Sequence, residues 1–526
     1  MNIWLVSREY AGIAEAGGVK NVATSLCESL ARLGHSMTLF IPFYGCTDLS
    51  HVENCNSNSE DKVAEIKVDE HFEKLVYFSG RMNGVNIVFV KHPFFTEKRA
   101  VYTYTHQDEL EDPEHKQGQG HFDVNFLNTV FQKAVIRYGE IFCKENIPDV
   151  IHCQDAATAM IPAYGHFSEA FKNTKFVVTI HNAGPGYHHN FASIDSAVYY
   201  SGLPRDYLEK GVCNGAIEPF ILSGMEACIT TVSPQYAAEI LEDKTDTAGL
   251  AESFRSRNIS IVGITNGIDF SRYDTFDVEK SLLPFAYNPM TLDLEGKYRG
   301  RSLFLKKYAS RSMKEVPDCL TQYGHIDTDG REDEFVYIAY HGRVVHQKGI
   351  EVMCEAAEKI LYKGLKVKFI FAGQGAPELE EKMAAMSKKF EGSIVYLKGY
   401  EKISARLSVA AADFSLHPSW FEPCGLEDFI AQTFGTIPVA HATGGLNKIV
   451  NEETGYLYSP NTSDELSRLL EKLILQVMEK GRKSLEPMIK HSSDYIHENY
   501  SWDKVALEYE KLYESLKISI KKGNDQ

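Results

Sequence analysis

The chain has 526 residues, too many for one hydrophobic core, and its length points to two to four domains. Its 44% hydrophobic and 24% charged residues are those of an ordinary globular protein, and a net charge of −17 argues against general affinity for nucleic acid or an anionic membrane. No apolar run approaches the roughly 20 residues that span a bilayer. Residues 1–9 hold only a four-residue apolar run before charges appear, which fits a first strand and not a signal peptide. The ten cysteines include no Cys-x-x-Cys pair, so neither a zinc site nor a disulfide framework is signalled, and the cytoplasm is the expected compartment.

The chain opens with the apolar run Ile3–Val6, a Gly17–Gly18 turn and an amphipathic stretch with Val22, Leu26, Leu30 and Leu33 at helical spacing, stopped by Gly34. The strand Met37–Pro42 follows, completing a βαβ unit. Further strands are predicted at 75–79, 86–91, 149–152, 176–180 and 228–232, with 50–70 and 103–121 as polar surface loops. The same grammar restarts at 336–340. Helices at 349–363, 377–390, 402–411 and 425–434 alternate with strands at 367–373, 394–397, 414–417 and 438–440. Two doubly wound α/β domains are therefore expected, 1–262 and 263–488, with a C-terminal helical segment at 489–526. In the tail, Ser501 is the predicted N-cap of a helix with Val505, Tyr509, Leu512 and Leu516 along one stripe.

Ligands of such sheets bind outside the carboxyl ends of the strands. Two loops stand there in the second half. Residues 418–426 (Pro-Ser-Trp-Phe-Glu-Pro-Cys-Gly-Leu) bring a carboxylate, Glu422, and a glycine; residues 442–446 (Ala-Thr-Gly-Gly-Leu) bring adjacent glycines. Each is expected to open a helix, and the second to turn its backbone N–H groups toward an anion. A carboxylate beside such a cradle suits a ligand with both hydroxyls and phosphates, such as a nucleotide sugar. No acidic motif is placed to hold a divalent cation on a diphosphate, and His188–His189 lacks a third ligand, so neither metal nor cofactor is expected.

Seven motifs occur in order: residues 16–19 (Ala-Gly-Gly-Val), 152–155 (His-Cys-Gln-Asp), 179–182 (Thr-Ile-His-Asn), 231–234 (Thr-Val-Ser-Pro), 264–267 (Ile-Thr-Asn-Gly), the basic loop 342–349 and the loop 418–426. Taken together they resemble the bacterial glycogen synthases and plant starch synthases, retaining glucosyltransferases with two Rossmann-like domains facing across a cleft (the GT-B type). The resemblance implies transfer of glucose from a nucleotide diphosphate sugar, ADP-glucose first and UDP-glucose second, to the non-reducing 4-hydroxyl of an α-1,4-glucan. It implies Glu422 as the donor-site carboxylate, His181 near the glucose 6-hydroxyl and Asp155 opposite it. Arg343 and Lys348, five apart across a strand-to-helix turn, would neutralise the leaving diphosphate. Lys348 is expected at the surface, with no role in folding. Asn266 would line the glucose site and Tyr400 stack on the base, with Gly17, Gly18, Cys424, Gly425, Leu426, Thr443, Gly444 and Gly445 completing the donor contacts. The last helix would cross back onto the N-terminal domain. Two further readings stay open: a related glycosyltransferase with another acceptor, and a catalytically silent relative that binds glucan or nucleotide.

The chain also departs from that family. In the wider retaining superfamily a second glutamate stands eight residues after the first; here that position is Ile430, and an apolar residue is often found there in the bacterial branch. The family's N-terminal loop carries Lys-x-Gly-Gly with an aspartate three residues on; here Glu15 and Asn21 stand at those positions. A carboxylate at roughly 6 Å from a phosphate charge costs about 2–3 kcal/mol at an effective dielectric near 20. Either Glu15 turns away, with Arg8 or Lys20 supplying positive charge, or donor binding is altered.

Overall fold

A computed structural model describes residues 1–244, 246–311 and 317–523, with side chains of the last helix to residue 518. The chain divides into two compact units, one of residues 1–267 and 502–526, the other of residues 268–501.

The first unit is built on nine strands: β1 (Asn2–Val6), β2 (Ser36–Pro42), β3 (Lys62–Val68), β4 (His71–Met82), β5 (Val85–Lys91), β6 (Val150–Gln154), β7 (Lys175–Ile180), β10 (Cys228–Thr231) and β11 (Ile261–Gly263), in the order β11-β10-β7-β6-β1-β2-β5-β4-β3; a two-residue hairpin, β8 (Val212–Cys213) with β9 (Ala216–Ile217), stands apart. All pairings from β11 through β5 are parallel. Strands β1, β6 and β7 are buried along almost their whole length, as apolar runs of a sheet covered on both faces should be. The chain runs outward from β1 through β2 and returns to β6 on the other side, so the switch point lies between the ends of β1 and β6. Residues 50–70 are not all loop: β3 pairs antiparallel with β4, alternating buried and exposed residues. Residues 103–121 hold the short helix His106–Glu111.

The C-terminal helix Trp502–Gly523 belongs to this first unit. Arg32 Nη2 donates to Asp503 Oδ1 at 2.7 Å, and Tyr513 OH shares a 2.8 Å hydrogen bond with Nδ1 of the buried His152. The buried stripe is Val505, Ala506, Tyr509 and Tyr513, while Leu512 and Leu516 are half-buried.

The second unit holds β12 (Leu320–Ile326), β13 (Val336–His341), β14 (Val367–Gly373), β15 (Ser393–Gly399), β16 (Phe414–His417), β17 (Ile437–His441) and β18 (Tyr456–Tyr458), in the order β12-β15-β14-β13-β16-β17-β18. Only β12, at the edge, runs antiparallel to its neighbour. The helices Ile350–Tyr362, Pro377–Lys389 and Lys402–Ala410 connect successive strands. The switch point falls between β13 and β16. The chain enters and leaves this unit side by side, with Ile268 N–H donating to Tyr500 O at 2.9 Å. The helix Glu486–Asn499 also packs here, so residues 489–501 stay with the second unit. Among the described residues no helix is long and apolar enough to cross a membrane.

Candidate active site

In the second unit the loops leaving β13 and β16 meet at the switch point. Gly349, at φ +65°, lies so close to the second loop that a Cβ there would stand 1.9 Å from Pro418 O. Lys348, one residue earlier, donates from Nζ to Glu422 Oε2 at 2.5 Å, and Ser419 Oγ donates to the same oxygen at 3.0 Å. Burial works to raise the Glu422 carboxyl, but Lys348 and its hydrogen bonds, with help from Lys448, hold it below its ordinary value. Lys348 is therefore not a free surface cation: its side chain is 17% exposed and that of Glu422 12%. Arg343 is exposed and donates from Nη2 to Gln347 Oε1 at 3.3 Å; Gln347 in turn donates to Phe421 O at 3.1 Å. The structure thus gives the two cations of the basic loop different partners, both leading to residues 421–422.

The adjacent glycines work differently from the expected cradle. Gly445 N–H donates to Glu422 O at 2.7 Å, Leu446 N–H to Thr443 O at 3.0 Å and Thr443 N–H to His441 O at 2.9 Å. These amides are engaged within the protein, and Gly444–Lys448 forms only a short 3₁₀ turn. Gly445 is required by close packing, because a Cβ there would lie 2.1 Å from Cys424 O. Gly425, at φ +79°, meets Asp428, Leu446 and Lys448 in the same way. The first loop does lead into a helix, which begins at Glu427, just past Leu426. Lys448, which sequence reasoning passed over, staples the two loops: Nζ donates to the carbonyls of Cys424 (2.5 Å), Gly425 (3.1 Å) and Gly445 (3.1 Å) and to Asp428 Oδ1 (3.0 Å). His341, at the end of β13, pairs with Glu427 at 2.9 Å, which carries the imidazole above its ordinary pKa against the effect of burial. Tyr400 follows β15 and is 57% exposed, a residue open to stacking.

In the first unit, Asp155 ends β6 at φ +63° and accepts from His181 N–H at 3.0 Å. Burial raises its carboxyl to about 7, with Glu9 adding to the rise and the amides of His181 and Asn182 opposing it. His181, at the end of β7, shares a 2.8 Å hydrogen bond with Gln154 Oε1, and burial lowers its imidazole to about 4, so it is neutral near pH 7. Asn266 lies in this unit, and its Oδ1 is buried without a hydrogen-bond partner among the described residues.

The N-terminal glycine loop is organised by Glu9, a residue its motif did not flag. Glu9 Oε2 accepts from Ala16 N–H at 3.0 Å and Gly17 N–H at 2.5 Å, and Tyr102 OH donates to Oε1 at 2.9 Å. Gly18 then caps the helix Val19–Arg32, which has no acidic residue in its first turn. Glu15 turns back into the loop: Oε1 accepts from Gly12 N–H at 2.8 Å and Oε2 from Lys20 Nζ at 2.6 Å. Arg8 is committed elsewhere. It is buried, donating to Tyr44 OH, Asn128 Oδ1 and Val101 O. Among the described residues no group of three or more His, Cys, Asp or Glu side chains is arranged to hold a metal ion.

Comparison with known proteins bears on both units. Residues 2–256 match the family model of the starch synthase catalytic domain, and residues 326–491 that of glycosyl transferases group 1. A glycogen synthase of Kosmotoga olearia is 30% identical over 527 residues, covering 98% of this chain and 97% of that protein. A glycogen synthase of Thermodesulfovibrio yellowstonii is 29% identical over 550 residues, covering 98% of each. Among solved structures, the catalytic domain of starch synthase IV from Arabidopsis thaliana, bound to ADP and acarbose, matches with a TM-score of 0.78 at 22% identity, over 98% of this chain and 99% of that one. That likeness carries the fold, two Rossmann-like α/β domains of the GT-B type. Near-complete coverage by a relative at this identity, with both family models in order, means that the chain belongs to the glycogen and starch synthase family of glycosyltransferases.

Proposed function

We propose that this protein is a retaining glucosyltransferase that moves glucose from a nucleotide diphosphate sugar, ADP-glucose before UDP-glucose, to the non-reducing 4-hydroxyl of an α-1,4-glucan. The observation that carries the reading is the Lys348–Glu422 pair at the switch point of the second unit. It couples a cation suited to a diphosphate with a carboxylate suited to sugar hydroxyls, on two loops fastened by Lys448.

In this reading Lys348 and Arg343 stabilise the leaving diphosphate, and Lys348 exchanges its contact with Glu422 for one with phosphate. Phosphate recognition rests on these side chains more than on the Gly444–Gly445 backbone, whose neighbouring amides are already engaged. Glu422, ionised and freed from Lys348, orients glucose hydroxyls. Tyr400 offers its ring to the base. Neutral His181, its Nε2 hydrogen directed to Gln154, offers Nδ1 as an acceptor for a hydroxyl near the reacting sugar, and Asp155 and Asn266 supply further polar contacts. Same-face departure and attack through a short-lived oxocarbenium-like species needs no protein nucleophile, the leaving phosphate taking the acceptor's proton.

The deciding experiment incubates purified protein with glycogen and radiolabelled ADP-glucose or UDP-glucose and counts polymer-bound label. Label in polymer, sensitive to α-1,4-glucan hydrolysis, is expected. Its absence with both donors would overturn the reading.

A further inference from the structure

Behind the loop that leaves β7 lies a buried charge pair that the proposed mechanism does not use. His188 is 3% exposed and Glu218 0%, with His188 Nδ1 2.7 Å from Glu218 Oε2. On its other side His188 Nε2 lies 2.8 Å from Ala183 O. A carbonyl only accepts, so Nε2 carries a hydrogen. Among the described residues Glu218 Oε2 has no formed hydrogen bond, so its approach to Nδ1 is a charge contact; a bare Nδ1 lone pair that close to a carboxylate oxygen would be repulsive, so Nδ1 carries a hydrogen too. The ring is therefore an imidazolium. Its partner is itself held, since Glu218 Oε1 accepts from Phe220 N–H at 3.0 Å and Glu218 N–H donates to Gly211 O at 2.9 Å. The backbone ladder between Phe191 and Ile217 brings the two segments together.

Ala183 is fixed at both ends, because its N–H donates to Tyr236 OH at 3.0 Å while its carbonyl takes the imidazolium. Two residues earlier, His181 N–H is on Asp155. The segment 181–183 is thus suspended between Asp155, Tyr236 and His188. We propose that His188 and Glu218 are positioning residues: a buried imidazolium–carboxylate clamp that sets the loop bearing His181 and keeps positive charge behind Asp155. This deepens the glucosyltransferase reading and rests on it for the part played by His181 and Asp155.

The electrostatics agree with the geometry. Burial alone would lower the His188 imidazole, but Glu218, the Ala183 carbonyl and the more distant Asp246 carry it above its ordinary value. Asp155 feels the opposite side of the same charge: burial and Glu9 push its carboxyl up, and His188 draws it down. On the next residue His189 is lowered to about 4 by burial, with Arg8 and His188 adding to the effect, and does not compete for the proton.

Two variants test the clamp. Glu218→Gln keeps an acceptor for Phe220 and removes the charge; His188→Gln keeps a donor for Ala183 and removes the charge. In each, kcat for glucan elongation should fall about tenfold at neutral pH while donor KM changes by less than about twofold. The acid limb of the kcat profile should move to higher pH, because Asp155 has lost a stabilising cation. In ¹⁵N-histidine spectra of the wild type, the resonance lost in His188→Gln should be that of an imidazolium at pH 7. A neutral ring at that pH overturns the clamp. So does a loss of kcat equal at every pH that merely follows the change in Tm, which would mark a structural role only. If the wild type transfers no glucose, the functional reading and the catalytic half of this inference fail together, whereas the spectrum still decides the pair.

Discussion

Lys348→Ala separates two roles that one side chain holds. Opposite charges about 4 Å apart at an effective dielectric near 20 attract by about 4 kcal/mol, a gain largely offset by desolvating both groups. Removing one partner of a fully buried pair costs about 3–5 kcal/mol. Here Lys348 and Glu422 are 17% and 12% exposed, and Ser419 still donates to the carboxylate. We therefore expect a smaller loss of roughly 2 kcal/mol, or about 4–8 °C in the Tm of a unit of this size. Loss of an aimed charge in the reaction costs kcat/KM roughly 10²–10³, about 2.7–4 kcal/mol. The double variant Lys348→Ala/Glu422→Gln removes the unpaired carboxylate, so thermal stability should return while activity does not. Calorimetry and initial rates with labelled donor read the two effects apart. The pair also sets a pH dependence. The folded-state pKa of Glu422 is depressed, so its stabilising contribution is present above the ordinary carboxylate range and is lost as pH falls through the folded value; Lys348→Ala should weaken that acid sensitivity. A single variant within about threefold of wild-type kcat/KM would refute the assignment, and a double variant no more stable than the single would refute the electrostatic argument.

Gly445→Ala places a methyl against the Cys424 backbone and should cost about 1–3 kcal/mol, with donor affinity falling in parallel by isothermal titration. Lys20→Ala leaves Glu15 without its cation, so donor KM should rise about tenfold, and Glu15→Ala in the same chain should recover part of it; an unchanged KM in Lys20→Ala would show the loop to be indifferent to donor charge. Glucan synthesis should survive excess EDTA, because the proposed diphosphate contacts are cationic side chains; loss of activity restored by Mg²⁺ or Mn²⁺ would contradict this. Asp155, at about 7, should impose an acid limb on kcat near neutrality, absent in Asp155→Asn, and its raised pKa means that stability falls as pH rises from the ordinary aspartate value toward 7.

The parallel core was legible because its strands are buried on both faces and read as unbroken apolar runs: 336–340, 367–373 and 414–417 all became strands with ends within about one residue. The antiparallel margins were not. In β3, Lys62, Glu65 and Lys67 interrupt the apolar residues, and the segment reads as a polar loop until β4 is beside it. Edge strand β12 gives equally little pattern, because Thr321, Gln322, Gly324 and His325 break up its apolar residues. Among site residues, motifs found Glu422 and Lys348 but not their contact, which joins residues 74 positions apart and follows from the β13–β16 adjacency. Lys448, Glu9 and His188 carry no local pattern. Each is identified by what it touches, and only the folded backbone brings carbonyls or a carboxylate to it.

The two units place carboxylates in opposite electrostatic situations, and this divides their work. Glu422 is buried beside Lys348, with Lys448 nearby, and its carboxyl is held down, so it remains an anion over the whole neutral range. Asp155 is buried with Glu9 nearby and, among the described residues, no cation in direct contact, and its carboxyl stands near 7. Environments that push like groups apart commonly assign different tasks to them. A permanent anion next to a mobile lysine suits a site where a doubly charged leaving group arrives and departs, since the lysine always has an anionic partner to return to. A carboxyl near neutrality, accepting the backbone amides of His181 and Asn182, suits holding a hydroxyl whose proton it can share. Charge at Asp155 is then set first by its burial, which the amides of His181 and Asn182 and the charge of His188 oppose and Glu9 reinforces.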